Sequence, residues 1–112
     1  MLIFPLKKEW YEKIKSGEKT IEYREVKPYW QIRLWHEGCL PVSELIAYNY
    51  EEIRDIAWPV FCYMQMGYKP ETRLEAVIKK VEIKNGKETD LHIDKPVYVI
   101  HFKLLNKQEA CA

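Results

Sequence analysis

Thr20 to Glu25 alternates with a period of two: Ile21 and Tyr23 fall on one face, and Thr20, Glu22 and Arg24 on the other. That period is the signature of a strand with two unlike faces. It recurs in three further segments. Leu2 to Leu6 is a short first strand, which Pro5 marks as irregular or as a sheet edge. In Trp30 to Trp35, Ile32 and Leu34 alternate with Gln31 and Arg33, which predicts another strand. From Arg73 to Lys84 the apolar positions run Leu74, Ala76 and Ile78, then change phase to Val81 and Ile83. A slip of that kind near Lys79 and Lys80 predicts a bulge or a strong twist. Pro96 to Leu105 alternates again and makes a last strand, with His101 as a wall residue. Ala57 to Met66 is apolar and aromatic throughout and predicts a buried strand.

Two segments keep helical spacing instead. In Lys7 to Ser16, Trp10 and Ile14 lie four apart and Tyr11 three before Ile14, so they share one stripe, while Glu9 and Lys13 pair on a solvated face. Gly17 stands where a left-handed helix end favours a residue without Cβ. Ser43 can cap a second helix over roughly Glu44 to Ile56, with Leu45, Tyr48 and Glu52 in helical register. Turns are signalled at Gly67 to Pro70 and at Asn85-Gly86. Five or six strands with one or two helices, one of them between the first two strands, predict an α+β fold. Curled sheets close to hide their edges, so the expectation is a small mixed β-barrel with helices packed outside.

Length and composition narrow the picture. The 112 residues make one domain, expected over 1–106 with a flexible tail at 107–112. With 47% hydrophobic and 31% charged residues the chain is globular. A net charge of +1 argues against a strongly basic, non-specific nucleic-acid binder, though not against one local basic pocket. The three cysteines, Cys39, Cys62 and Cys111, form no CxxC pair and read as free thiols in a reducing cytosol. His36, His92 and His101 show no metal-ligand spacing, so no metal and no cofactor are expected. Glycine-rich phosphate loops are absent. Neither a signal peptide nor an apolar run of about 18 residues is present, which predicts a cytoplasmic protein with no membrane span. Lysines from Lys79 to Lys87 read as a basic edge for an RNA backbone or, more commonly, as protection of an edge strand.

The densest chemistry lies in SGEKTIEYREVKPYW, Ser16 to Trp30. Gly17, Lys19, Glu22 and Arg24 stand in order as G-x-K-x-x-E-x-R just after the first helix. This pattern, with KKEWYEKIKSGEK before it and KPYWQIRLW after it, resembles the ASCH family of PUA-like domains, in particular a subgroup of small phage and bacterial proteins. The MGY turn at Met66 to Tyr68 and the closing VYVIHFKLL fit in order and character. The resemblance implies a PUA-like barrel with a cleft lined by the first helix, the loop after it and the next strand. It also implies an RNA or nucleoside ligand. One branch of the family is similar to amidohydrolases that deacetylate N4-acetylcytidine and carries threonine where this chain has Glu22. Another branch has been linked to RNA cleavage.

The residue types agree with such a ligand. Lys19 at the mouth of a cleft reaches phosphate as a point charge, or serves as a base if partly buried. Glu22 and Arg24, two apart on a strand, share a face about 7 Å apart at Cα. Arg24 supplies paired donors to phosphate or a base edge, and Glu22 accepts from an exocyclic amine or holds one of the cations. Tyr29 is the stacking candidate and Tyr68 the second wall, whereas Trp30 is expected in the core. Gly17 completes the ligand-binding set. The leading expectation is an RNA- or nucleotide-binding domain. The alternative is a hydrolase on a modified nucleoside or RNA, with Lys19 and Glu22 catalytic. A protein-interaction module is a third class, recognisable by an apolar patch away from the cleft.

Overall fold

The structure, a computed structural model, describes residues 2–37 and 54–105. Strand β1 (Leu2–Leu6) is followed by helix α1 (Lys8–Lys15), strand β2 (Ile21–Glu25) and helix α2 (Pro28–His36). Three long strands follow: β3 (Arg54–Met66), β4 (Leu74–Asn85) and β5 (Pro96–Leu104). Single 3-10 turns at Pro70–Thr72 and Gly86–Glu88 precede and follow β4. All five strands join one sheet in the order β1-β3-β4-β5-β2. The β1–β3 pair is parallel and the other pairs are antiparallel, so the sheet is mixed.

This sheet curls into a half-barrel. Although β1 and β2 sit at opposite ends of the hydrogen-bonded order, the Arg24 guanidinium on β2 donates from Nη2 to the Pro5 carbonyl of β1 at 2.8 Å. One side chain thus spans the seam that the strands leave open. The expected α+β architecture, a small mixed barrel-like sheet with two helices, is the one observed. Pro5 lies on an edge strand, where its missing N–H costs the ladder nothing.

Phe4, Met64, Ala76, Tyr98 and Ile100 are fully buried inside the curl, with Ile14 of α1 and Leu34 of α2 closing it. The phase change in β4 is real. Its register against β5 shifts between Ile78 and Lys80, so Ala76 and Ile78 before the shift face the core that Val81 and Ile83 face after it. Gly17 adopts φ +87° and stops α1; just beyond it the Lys19 N–H reaches back to the Lys13 carbonyl at 3.0 Å. Gly86 is required for another reason, since a Cβ there would meet Val97 Cγ1 at 2.7 Å and the Ile93 carbonyl at 2.8 Å.

Three expectations are corrected. The strand expected at Trp30 to Trp35 is α2. Pro28 occupies the first helical turn, where its missing N–H is harmless and its fixed φ is an asset. Trp30 and Leu34, four apart, then turn inward together while Ile32 is half-exposed; an alternation of Ile32 with Leu34 would have placed both on one face. The helix expected over Glu44 to Ile56 falls mostly outside the described residues, but its last three positions, 54–56, already belong to β3. The lysine run cannot protect an edge, because β4 is the central strand of the sheet. Lys80 and Lys84 instead flank Glu82, at 3.4 and 3.3 Å.

Candidate functional site

A cleft of about 630 Å³ opens at the seam end of the half-barrel, between α1, β2 and the loop that precedes β5. Lys19, Glu22 and Arg24 all line it, with Trp10, Trp30 and Asp90. This volume lies within the range of small-ligand pockets. Each polar group is placed by a local cause. Lys19 follows the glycine stop of α1, and its backbone is tied back to that helix. Glu22 and Arg24 project from the same face of β2, two residues apart. Asp90 comes from the loop between the Gly86–Glu88 turn and β5.

Glu22 is only 6% exposed, and a carboxylate at that depth needs partners. Arg24 provides two donors to one oxygen: Nε at 3.0 Å and Nη2 at 2.6 Å from Oε2. The other oxygen, Oε1, accepts no hydrogen bond from the described residues. Lys19 Nζ lies 3.9 Å from it, too far for a hydrogen bond. Arg24 also rests against a stacked ring pair: its guanidinium lies 4.9 Å from the Trp30 ring and 5.5 Å from Phe4, which stacks on Trp30 at 5.1 Å.

Lys19 is similarly boxed. Its ammonium donates to Asp90 Oδ2 at 2.7 Å and sits 5.2 Å from the Trp10 ring centre and 4.9 Å from that of Tyr23. Burial and the nearby Asp90 carboxylate push the Tyr23 hydroxyl up, although Lys84 opposes them, so Tyr23 remains a neutral hydrogen-bonding group. Four basic residues (Lys7, Lys19, Arg24, Lys27) and four acidic ones (Glu9, Glu22, Glu25, Asp90) line the cleft, which balances its charge. Such a cleft does not attract a polyanion over a distance. It can recognise a polar edge at contact range, through Glu22 Oε1 as acceptor and the remaining donors of Lys19 and Arg24.

Of the residues expected from the sequence, Lys19, Glu22 and Arg24 come together. Gly17 shapes the approach from the end of α1 without lining the cleft. Tyr29 is not at the cleft either: it lies on the outward side of α2, half-exposed, beneath the Arg33 guanidinium at 3.5 Å. Tyr68 is almost fully exposed on the turn after β3 and does not line the cleft. Trp30 combines two roles, since it packs in the core and also presents an edge of its surface to the cleft. Sequence reasoning missed Trp10, Tyr23 and Asp90. Trp10 had been assigned to the apolar stripe of α1, and only its incomplete burial distinguishes it from Tyr11 and Ile14. Asp90 meets Lys19 across 71 residues of sequence and carries no local signal.

Among the described residues no cluster of three histidine, cysteine, aspartate or glutamate side chains is placed to hold a metal ion. No helix among them is long and apolar enough to cross a membrane. Compared with known proteins, the chain matches no family model, no curated protein and no solved structure.

Proposed function

We propose that the chain is an RNA- or nucleotide-binding domain of the ASCH, PUA-like type, and that the cleft around Lys19, Glu22 and Arg24 is its ligand site. One observation carries the proposal. Glu22 is buried and held on one oxygen by Arg24, yet its Oε1 accepts no hydrogen bond from the described residues and lies 3.9 Å from Lys19 Nζ. A ligand edge with a neighbouring N–H donor and carbonyl or ring-nitrogen acceptor bridges that gap. The ligand N–H donates to Glu22 Oε1, and the ligand acceptor accepts a hydrogen bond from Lys19 Nζ. Nucleobases present such pairs on their Watson–Crick edges. Trp10 and Tyr23 line the cleft on either hand of Lys19, and a base that stacks on one of these rings gains about 1–3 kcal/mol.

The same gap supports a second reading, hydrolysis of a modified nucleoside or of RNA. A water held between Glu22 Oε1 and Lys19 Nζ would pass its proton to Glu22. Lys19, committed to Asp90, would stabilise developing negative charge instead of acting as the base.

Wild type and Lys19→Ala, incubated with ribonucleosides, nucleotides, N4-acetylcytidine and short single-stranded RNAs at two salt concentrations, separate these readings. Binding without product, weakened about tenfold in the variant (about 1.4 kcal/mol), supports the binding domain. Because the cleft is charge-balanced, its affinity falls only shallowly with salt. Product formation that the variant abolishes supports the hydrolase. Silence towards every ligand overturns both and leaves a protein partner as the function.

A further inference from the structure

A second, smaller cleft of about 310 Å³ adjoins the first. The two share Trp10, Lys19, Tyr23 and Asp90 as a common wall. The ridge between them is therefore the Lys19–Asp90 ion pair, flanked by two aromatic rings. On its far side the smaller cleft is lined by Lys13, Glu18, Thr20 and Ile21, none of which lines the larger one. Lys13 and Lys19 both address the Trp10 ring, at 5.1 and 5.2 Å from its centre. Their commitments differ. Lys19 is only 10% exposed and bonded to Asp90, whereas Lys13 is half-exposed and, among the described residues, pairs loosely with Glu18 at 3.9 Å. A ligand that leaves the larger cleft over the ridge thus passes one held cation and one available cation within a few atoms of its path.

We propose that the two clefts are adjacent subsites for one ligand, a two-nucleotide segment of single-stranded nucleic acid. One base lies in the larger cleft, the neighbouring unit in the smaller one, and the phosphodiester that joins them crosses the ridge beside Lys13 and Lys19. This rests on the larger cleft being a nucleobase site. It goes further in stating that a free nucleoside fills only part of the site, and that Lys13 is a phosphate contact. An ammonium on a flexible stem suits this role, because it follows a phosphate as a point charge. Thr20 offers a hydroxyl to the sugar or base of the second unit. Glu18 opposes the phosphate.

The test uses the intact chain and measures affinities for uridine, cytidine and adenosine against the dinucleoside monophosphates UpU, CpC and ApA, and their deoxy counterparts. The dinucleoside monophosphate is expected to bind at least about fivefold tighter than its nucleoside, the order of one charge-assisted contact between Lys13 and the phosphodiester. Lys13→Ala removes most of that gain and lowers the slope of log affinity against log salt by about 0.7, the value for one phosphate contact on a single strand. Glu18→Gln has the opposite effect and tightens the dinucleoside monophosphate. Neither variant changes nucleoside affinity by more than about twofold, because neither side chain lines the larger cleft. Preference for ribose identifies RNA as the source, and equal affinity identifies single strands of either kind; both support the two-subsite site. Nucleosides that bind as tightly as the dinucleoside monophosphates, or a gain that survives Lys13→Ala, overturn the second subsite and leave the first intact. Failure of all the ligands to bind overturns both.

Discussion

Two buried carboxylates on one sheet show what separates a structural charge from an available one. Glu22 and Glu82 are equally buried, each 6% exposed, and each is surrounded by cations. Glu82 projects from β4, and both of its oxygens are engaged. Oε1 takes His101 Nε2 at 2.7 Å and Lys80 Nζ at 3.4 Å, and Oε2 takes Lys84 Nζ at 3.3 Å. Glu82 lines neither of the two clefts. Burial alone would raise its pKa, but the hydrogen bonds from His101 and Lys84 and the charges of Lys84 and Lys80 outweigh that and hold it below the ordinary carboxylate value. Glu22 has one engaged oxygen and one that faces a cleft. Burial and charge are the same at both sites; only the second oxygen differs. Depth therefore does not mark a candidate binding carboxylate; an oxygen that faces a cleft without a hydrogen bond from the described residues does.

The sharpest way to break this comparison is at the clamp on Glu22. Arg24→Ala leaves a buried carboxylate without its main partner and opens the β1–β2 seam. Denaturant unfolding should show a loss of about 3–5 kcal/mol, with partial recovery in the Glu22→Gln, Arg24→Ala double variant. If Arg24→Ala costs less than about 1 kcal/mol, as a solvated surface pair would, the seam argument fails. Lys19→Ala is the converse case. It should weaken ligand binding about tenfold while changing stability by no more than about 1 kcal/mol, since Lys19 makes no hydrogen bond to Glu22 and its partner Asp90 is exposed enough to be solvated when the ammonium is gone.

Acid unfolding sharpens the contrast from the side of Glu82. Its folded pKa lies below the unfolded one, so the stability it supplies is present above the ordinary carboxylate value of 4.5 and is lost as the pH falls through the lower folded value. Glu82→Gln should flatten the stability curve in that window and leave binding unchanged. An unaltered curve would mean that the His101 and lysine contacts do not hold in solution. The smallest effect concerns Tyr98. Its hydroxyl is fully buried without a partner among the described residues, and burial pushes it up to about 12. Tyr98→Phe removes an unsatisfied polar atom and should be neutral, or stabilising by up to about 1 kcal/mol. A clear loss on denaturant unfolding would show that the hydroxyl has a partner after all.

The legible and illegible parts of the fold differ for physical reasons. Helix α1, its glycine stop and the phase slip in β4 were readable, because each is decided by residues within a few positions of one another. Helix α2 was not. In a window as short as Trp30 to Trp35, alternation and helical spacing share Trp30 and Leu34, and only packing against Phe4 decides between them. At the site, Lys19, Glu22 and Arg24 were legible as a cluster because a turn and a strand of known geometry bring them together. Asp90 was not, since tertiary structure alone delivers it. The ranking of the aromatic residues changed for the same reason. Tyr29 is the stacking candidate from its place after Pro28, but α2 carries it away from the cleft, while Trp10 lines the cleft wall.

A paired comparison of Glu22→Gln and Glu82→Gln would decide whether the open oxygen of Glu22 is what makes it a ligand contact. Both variants would be measured for nucleoside and dinucleoside monophosphate affinity, and for denaturant stability, under identical conditions. Glu22→Gln should lose about tenfold or more in affinity and remain close to wild type in stability, because the amide oxygen can still accept from Arg24. Glu82→Gln should lose stability and keep its affinity. Equal affinity losses in the two variants, or none in Glu22→Gln where wild type binds, would contradict the assignment of Glu22 as the group that reads the ligand.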